Sequence, residues 1–213
     1  MESDIRTFIN PNIFSSNVYV INYDNTVIVI DPGFYDWDLK GYLSKLWKVN
    51  AILLTHGHWD HIRCVDQIVK DYPKAKVYIH SFDKELLSDT KLNCCFLIWD
   101  DEIKVQSNTT FIEQWNYEFW GLSAQIIHVP GHTDWCVMYY FEKLSALFLW
   151  DTVLGESIWT LRTPTWDYNK MPASLWKFKH LWIDLWTLCY PWHWEIMTYW
   201  EILRINPFPK WNF

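Results

Sequence analysis

Residues 55–61 read Thr-His-Gly-His-Trp-Asp-His and follow directly on the apolar run Ala-Ile-Leu-Leu at 51–54. The apolar run predicts a buried strand, so the polar residues after it lie on irregular backbone where that strand ends. Imidazole and carboxylate groups at this density are typical of a zinc, iron or manganese site, whereas a structural zinc site favours paired thiolates. A polar loop whose histidines bond to backbone or water is the alternative. The sequence therefore predicts four metal ligands, His56, His58, Asp60 and His61.

Further ligand candidates follow apolar runs of the same kind elsewhere in the chain. They are His132 after residues 124–129, Asp151 after 146–150 and His193 after 187–190. Taken singly, a histidine or aspartate after a strand is more often a surface or capping residue. Because the arrangement recurs at several strand ends, we expect these side chains to share one edge with the early histidine cluster.

The residues at 55–61 match the pattern Thr-His-X-His-X-Asp-His, and through it the chain resembles the metallo-beta-lactamase fold hydrolases. The resemblance is strongest to their glyoxalase II-like (hydroxyacylglutathione hydrolase-like) branch. It runs from Val-Ile-Asp-Pro-Gly at 29–33 to Asn-Pro-Phe at 206–208. It implies an α/β fold, the four-layer αβ/βα metallo-beta-lactamase sandwich, formed as a single domain by residues 1–213.

The same resemblance implies a set of metal ligands with assigned positions. His56, His58 and His132 would hold a first metal ion, Asp60, His61 and His193 a second, and Asp151 would bridge the two. The implied cofactors are thus two divalent metal ions. Zinc is the expected metal, although iron and manganese accept the same donors.

A metal-dependent hydrolase is the activity that the resemblance implies, and a thioester hydrolase of the glyoxalase II type is the expected member. A hydroxide that bridges the metal ions would be the nucleophile, and Asp60 would orient it as well as bind metal. The expected substrate is a small-molecule acyl or glutathione thioester. No Gly-X-Ser-X-Gly nucleophile elbow occurs in the chain, which argues against a serine hydrolase.

Two alternatives stay open beside the thioester hydrolase. A mononuclear iron persulfide dioxygenase would use part of the same ligand set and leave the second metal position empty. A non-catalytic, metal-binding member of the family would keep the fold without turnover. Metal content and the consumption of oxygen or thioester distinguish the three.

Composition limits the partners and the compartment. The net charge of −7 argues against nucleic-acid binding, because phosphate neutralisation requires a basic face. No run approaches the roughly 18 apolar residues of a membrane span, and the amino terminus lacks an apolar signal core, so we expect a cytoplasmic protein. The five cysteines form no paired motif and are expected to be free thiols. The oligomeric state is not predicted.

Hydrophobic periodicity and turn residues predict a mixed succession of strands and helices. The predicted strands are residues 17–23, 26–31, 51–55, 76–80, 102–106, 109–114, 124–129, 135–141, 146–150 and 187–190. The predicted helices are residues 37–47, 60–71, 82–88, 172–182 and 195–204.

Tryptophan is unusually frequent in this chain, with 17 residues beside only 6 glycines. Many of these tryptophans stand where the family pattern has glycine or look similar in this respect: Trp47, Trp99, Trp135, Trp150, Trp159, Trp166, Trp192, Trp194 and Trp200. Glycine serves such turns because it adopts positive φ or permits close backbone approach. One hypothesis is that UGA codons, which some genetic codes read as glycine, are written here as tryptophan. The alternative is a diverged family member with genuine tryptophans.

Overall fold

The computed structural model describes residues 3–10, 16–98, 102–113, 115–149, 151, 153–158, 163–193 and 195–206. Contacts divide the chain into two compact units, which are Met1–Glu113 with Phe119–Leu122 and Gln114–Glu118 with Ser123–Phe213. The single domain predicted for residues 1–213 stays a prediction. No helix among the described residues combines the length and the apolar character that crossing a bilayer requires.

The first unit contains a six-stranded sheet in which the strands are neighbours in chain order. The strands are β1 (Ser3–Phe8), β2 (Val18–Tyr23), β3 (Thr26–Ile30), β4 (Ala51–Leu53), β5 (Lys76–His80) and β6 (Thr109–Ile112). The helices are α1 (Trp37–Leu46), α2 (Trp59–Ile62) and α3 (Val65–Asp71), with 3₁₀ helices at Ser81–Leu87 and Cys95–Ile98. β1 to β3 pair antiparallel, and β3 to β6 pair parallel.

Parallel pairing places the carboxyl ends of β3, β4 and β5 at one edge of this sheet. Every residue of β3 and β4 is buried, as expected for strands covered on both faces. Asp31 directly follows β3, and the loop that carries the histidine cluster follows β4. The sequence thus delivers polar side chains to one edge of a sheet whose strands β3 and β4 are fully buried.

The second unit contains most of another six-stranded sheet, ordered β14-β13-β10-β9-β8-β7. Its elements are β7 (Asn116–Phe119), β8 (Leu122–His128), β9 (Val137–Phe141), β10 (Ala146–Phe148), β11 (Val153–Leu154), β12 (Ser157–Ile158), α4 (Met171–Lys179), β13 (Leu188–Tyr190), β14 (Met197–Thr198) and α5 (Tyr199–Ile205). β11 and β12 form a separate two-stranded sheet. A 3₁₀ turn at Glu142–Leu144 connects β9 to β10.

Three strands of the second sheet run in the same direction. β10 is parallel to β13, and β9 is antiparallel to both β8 and β10, so β8, β10 and β13 are all parallel in sense. Their carboxyl ends therefore lie at one edge of the sheet. His132, Asp151 and His193 each follow one of these strands.

Three of the predicted elements differ from the structure of the described residues. Residues 102–106 form no strand, because their backbone is bonded elsewhere: Val105 N–H donates to the Leu87 carbonyl at 2.8 Å, and the Ile103 carbonyl accepts from the Asn93 side chain at 2.8 Å. The helix predicted over 60–71 is two helices, α2 and α3. The helix predicted over 195–204 begins only at Tyr199, after the short strand β14. Among the described residues, β1, β7, β11, β12 and β14 are strands that the sequence did not predict.

The break between α2 and α3 comes from contacts with the turn after β3. The Cys64 N–H donates to the Pro32 carbonyl at 2.9 Å, where a continuous helix would use the Asp60 carbonyl. The Asp60 carbonyl instead accepts from the Ser16 hydroxyl at 2.5 Å. Gly33 lies directly against that carbonyl, since a Cβ at Gly33 would be 1.7 Å from the Asp60 oxygen.

Replacement of Gly33 by alanine should destabilise the protein by about 1 to 3 kcal/mol or more, because the Cβ meets backbone that cannot yield. Gly41 is a matched control inside α1, where a Cβ meets nothing within 4 Å. Gly41→Ala should stabilise by about 0.5 to 1 kcal/mol, because alanine is the better helix former. Urea unfolding of both variants measures the difference, and equal midpoints would contradict the close approach at Gly33.

Candidate metal centre

The loop after β4 brings three buried imidazole rings together in the first unit. His56, His58 and His61 are all almost inaccessible to solvent. The ring centroids of His56 and His58 are 4.7 Å apart at an interplanar angle of 80°, and those of His56 and His61 are 4.1 Å apart. A ring nitrogen of His56 lies within 4.8 Å of one of His58, a spacing that two ligands of one metal ion can have.

Asp31 organises this loop through its carboxylate. Oδ1 accepts from the Thr55 N–H at 2.7 Å, and Oδ2 accepts from the Thr55 hydroxyl at 2.5 Å. His61 Nδ1 lies 2.8 Å from Oδ2. Burial raises the pKa of Asp31 above its usual value, while His61 and these hydrogen bonds act in the opposite direction. Asp31 also lies within ligand distance of His56 and His61, but its oxygens are committed to hydrogen bonds.

These contacts determine which ring nitrogen carries the proton in His56 and in His61. The Thr55 hydroxyl has one proton and donates it to Asp31, so it accepts from His56 Nδ1 at 3.0 Å. His61 Nδ1 likewise donates to Asp31. Both rings therefore carry the lone pair on Nε2. A carboxylate or hydroxyl that accepts from Nδ1 leaves Nε2 available as a metal ligand.

Asp60 is held at the start of α2 with its side chain beside His61. Its Oδ2 lies 3.5 Å from His61 Nε2, which is too long for a good hydrogen bond. Two ligand atoms that each lie 2.0 to 2.2 Å from a tetrahedral ion are roughly 3.3 to 3.6 Å apart. The Asp60–His61 spacing fits two ligands of one ion.

A buried carboxylate beneath the loop supports the backbone between two of the histidines. The Gly57 N–H donates to Asp83 Oδ2 at 3.3 Å, and Asp83 lies in the 3₁₀ helix Ser81–Leu87. A Cβ at Gly57 would be 2.4 Å from Leu86 Cβ in the same helix. Glycine is therefore required at this position so that the loop can approach the helix closely.

In the second unit, one carboxylate lies between two imidazoles. Asp151 Oδ2 is 3.6 Å from His132 Nε2 and 3.6 Å from His193 Nε2. Both spacings exceed a hydrogen bond and match ligands that share a metal ion, by the geometry given above. The three residues follow β8, β10 and β13 as the sequence predicts. The carboxylate position between the rings is what a bridging ligand would need.

The turn that carries His132 is fixed against α4. The Pro130 carbonyl accepts from the Ser174 hydroxyl at 2.6 Å, and the Thr165 hydroxyl donates to the His132 carbonyl at 3.2 Å. Gly131 has φ of +135°, and a Cβ there would lie 2.9 to 3.2 Å from atoms of Met171. A side chain at 131 would thus both strain the backbone and displace α4.

The strand end that carries Asp151 is tied to the loop that carries His193. The Leu149 N–H donates to the Tyr190 carbonyl at 3.1 Å, and the buried Trp192 indole donates to the Leu149 carbonyl. Trp192 does not have positive φ. Trp150 and Trp194, the other tryptophans beside these ligands, lie outside the described residues, as do Trp99 and Trp159.

Cys64 is a neutral core thiol at the break between α2 and α3. Burial raises the pKa of Cys64 to about 11, so the thiol stays protonated at neutral pH. Its sulfur lies 3.9 Å from the Gly33 carbonyl. Cys64 packs beside the metal-binding loop without the reactivity of a thiolate.

The sequence did not predict a role for Asp31 or Asp83. Asp31 carries a usable signal, since an acidic residue directly after the buried, mostly apolar β3 falls at the same sheet edge as the residues after β4. Asp83 has no comparable signal, because its contact with Gly57 depends on how a 3₁₀ helix packs beneath the loop.

The fold is mixed α/β, with histidine and aspartate side chains after the ends of parallel strands in both β-sheets. This arrangement is typical of a metal-binding protein. Each unit holds part of the predicted ligand set at ligand spacing. The chain belongs to the metallo-beta-lactamase superfamily, whose sequence model matches residues 11–187.

Named relatives and solved structures lie within the same superfamily. The hydroxyacylglutathione hydrolase of Francisella philomiragia is 30% identical over 176 residues, which are 83% of this chain and 62% of that enzyme. The chain thus spans less than two thirds of the length of that relative. The B3 metallo-beta-lactamase BLEG-1 is 26% identical with a TM-score of 0.86, covering 96% of this chain and 99% of the other. TTHA1623, solved in a di-iron-bound form, is 27% identical with a TM-score of 0.80, covering 94% and 97%. These similarities confirm the predicted α/β metallo-beta-lactamase fold.

Replacement of Asp31 by asparagine should weaken metal binding about 10- to 100-fold, because the amide turns an N–H₂ group toward one of three donors and disturbs His61. Asp71→Asn is the matched control, since Asp71 also accepts hydrogen bonds but lies on the surface beside Tyr35 and Lys40. Competitive titration of zinc against a chromophoric chelator measures both affinities. Equal affinity in the two variants would argue against a role of Asp31 in the site.

Proposed function

We propose that this protein is a metal-dependent thioester hydrolase of the glyoxalase II type, which acts on a small acyl or glutathione thioester. The observation that carries the proposal is the unbroken metal-binding heptapeptide at 55–61, in a chain related to a hydroxyacylglutathione hydrolase. The cytoplasm is the proposed compartment, because buried free thiols such as Cys64 suit a reducing environment.

Two divalent metal ions are the proposed cofactors. His56, His58 and His132 would hold the first, Asp60, His61 and His193 would hold the second, and Asp151 would bridge them. The nitrogen and oxygen donors of this set, with no thiolate, suit a catalytic site for zinc, iron or manganese. Zinc is the proposed metal, and iron is a real competitor because the related TTHA1623 was solved with two irons.

When bound, such ions act as Lewis acids and make a coordinated water acidic enough to serve as nucleophile near neutral pH. The chain's own residues would orient this water and limit the access of bulk solvent. Asp60 stands beside His61, where its second oxygen can accept a proton from the attacking water and fix the direction of attack. Buried His56 and His58 keep bulk water from their side of the centre. Asp31 holds the ring of His61 in place throughout.

A second candidate function is hydrolysis of a β-lactam. The observation in its favour is structural similarity, since the B3 metallo-beta-lactamase BLEG-1 is 26% identical with a TM-score of 0.86. Both reactions attack an acyl carbon with a metal-activated water, so the same residues would serve either one.

The test of the proposal is turnover of S-lactoylglutathione and of a chromogenic cephalosporin by the zinc-loaded protein. We expect thioester hydrolysis that disappears after chelation and returns with added zinc, because the nucleophile depends on the ions. Cephalosporin turnover without thioester turnover would support the second candidate and contradict the first. Oxygen consumption with a single iron per chain would contradict both.

Replacement of Asp60 by asparagine should lower thioester turnover about 100-fold or more, because it removes a carboxylate that is both an anionic metal ligand and a proton acceptor in the proposal. Asp38→Asn is the matched control, because Asp38 is an exposed carboxylate in the first turn of α1. Initial rates at saturating thioester and zinc measure the effect. Unchanged turnover in the Asp60 variant would remove this residue from the catalytic machinery.

A further inference from the structure

Seven non-glycine residues in the described part of the chain have positive φ, a region that L-residues with large side chains rarely adopt. Five of them have short side chains: Asp24, Asn25, Asp31, Cys94 and Ser145. The remaining two are tryptophans, Trp47 with φ of 62° and Trp120 with φ of 50°. Neither position lies in the candidate metal centre.

Trp47 ends helix α1 in a left-handed conformation. Its N–H donates back to the Leu43 carbonyl at 3.2 Å and to the Ser44 carbonyl at 3.3 Å, which closes the helix. Helices that end in this way usually carry glycine at the left-handed position, because glycine alone has no Cβ to clash with the following carbonyl. The indole gives no compensation, since 88% of Trp47 is exposed to solvent.

Trp120 is the first residue of the two-residue turn between β7 and β8. It is followed by Gly121, whose φ is 84°. A two-residue hairpin with positive φ at both positions is the type I′ turn, which strongly prefers Asn-Gly, Asp-Gly or Gly-Gly. The same chain supplies a comparison in the turn between β2 and β3, where Asp24 and Asn25 hold positive φ values of 42° and 65°. At 120 the chain has an indole where that other turn uses short polar side chains.

We propose that residues 47 and 120 are glycine in the protein as its own cell makes it, because both are encoded by UGA and that cell reads UGA as glycine. The excess of tryptophan over glycine in the chain, 17 against 6, is what this decoding would produce. The backbone makes the assignment at these two positions independently of any family pattern. It also does not depend on the proposed function.

The other described tryptophans at family glycine positions do not have positive φ. Trp135, Trp166, Trp192 and Trp200 all have negative φ. Trp192 is also fully buried and donates a hydrogen bond to the Leu149 carbonyl. The proposal is therefore confined to 47 and 120, of which only 47 stood out in the sequence.

The direct test is the gene together with the protein from its natural host. We expect UGA codons at 47 and 120, and peptides across both positions whose masses correspond to glycine. UGG at either position overturns the proposal for that position. UGA codons with tryptophan-mass peptides would show that the host inserts tryptophan, which overturns it as well.

A second test uses stability and needs no natural host. Trp47→Gly and Trp120→Gly, made in the sequence as written, should each lower the unfolding equilibrium constant about 5- to 30-fold, the effect of relieving a left-handed L-residue. Trp37→Gly is the matched control, because Trp37 is 85% exposed at the start of the same helix α1 and has negative φ. We expect no gain from that variant. Gains that are absent at 47 and 120, or equal to that at 37, would overturn the structural argument.

Discussion

The carboxylate of Asp31 is the point on which the metal-binding loop depends. It is fully buried after β3, and it accepts hydrogen bonds from the backbone N–H and the hydroxyl of Thr55 and from the ring of His61. A buried carboxylate is costly unless it is paired, and here its partners are the residues that must be held in place. The hydrogen bonds that stabilise the buried carboxylate thus also orient two predicted ligands. Asp31 holds His61 directly and holds His56 through Thr55.

Strand direction explains how distant residues reach comparable positions within each unit. In the first sheet, parallel β3, β4 and β5 end at one edge, and Asp31, the histidine loop and Asp83 follow them in turn. In the second sheet, β8, β10 and β13 share a direction and are followed by His132, Asp151 and His193. Glycines at 33, 57 and 131 allow these strand ends to approach neighbouring backbone or helix closely. The functional residues therefore sit on short loops whose positions are set by rigid strands.

Much of this could be predicted from sequence, because the signals are local. Apolar runs mark β4, β8 and β10, and a predicted ligand follows each strand within four residues. What could not be predicted depends on contacts that are distant in sequence. The break after α2 needs the Pro32 carbonyl, which takes the N–H of Cys64 from the helix. The loss of a strand at 102–106 needs Leu87 and Asn93. Trp120 was missed because a turn type is defined by backbone angles, and an indole gives no hint of positive φ.

The central proposal is that the seven predicted ligands hold a pair of metal ions. Anomalous diffraction at the zinc edge, from crystals of the zinc-loaded protein, tests it most directly. The account predicts two peaks about 3.5 to 4 Å apart, the first surrounded by His56, His58 and His132 and the second by Asp60, His61 and His193, with Asp151 between them. A single peak, or peaks bound by only one of the two groups of ligands, would contradict it.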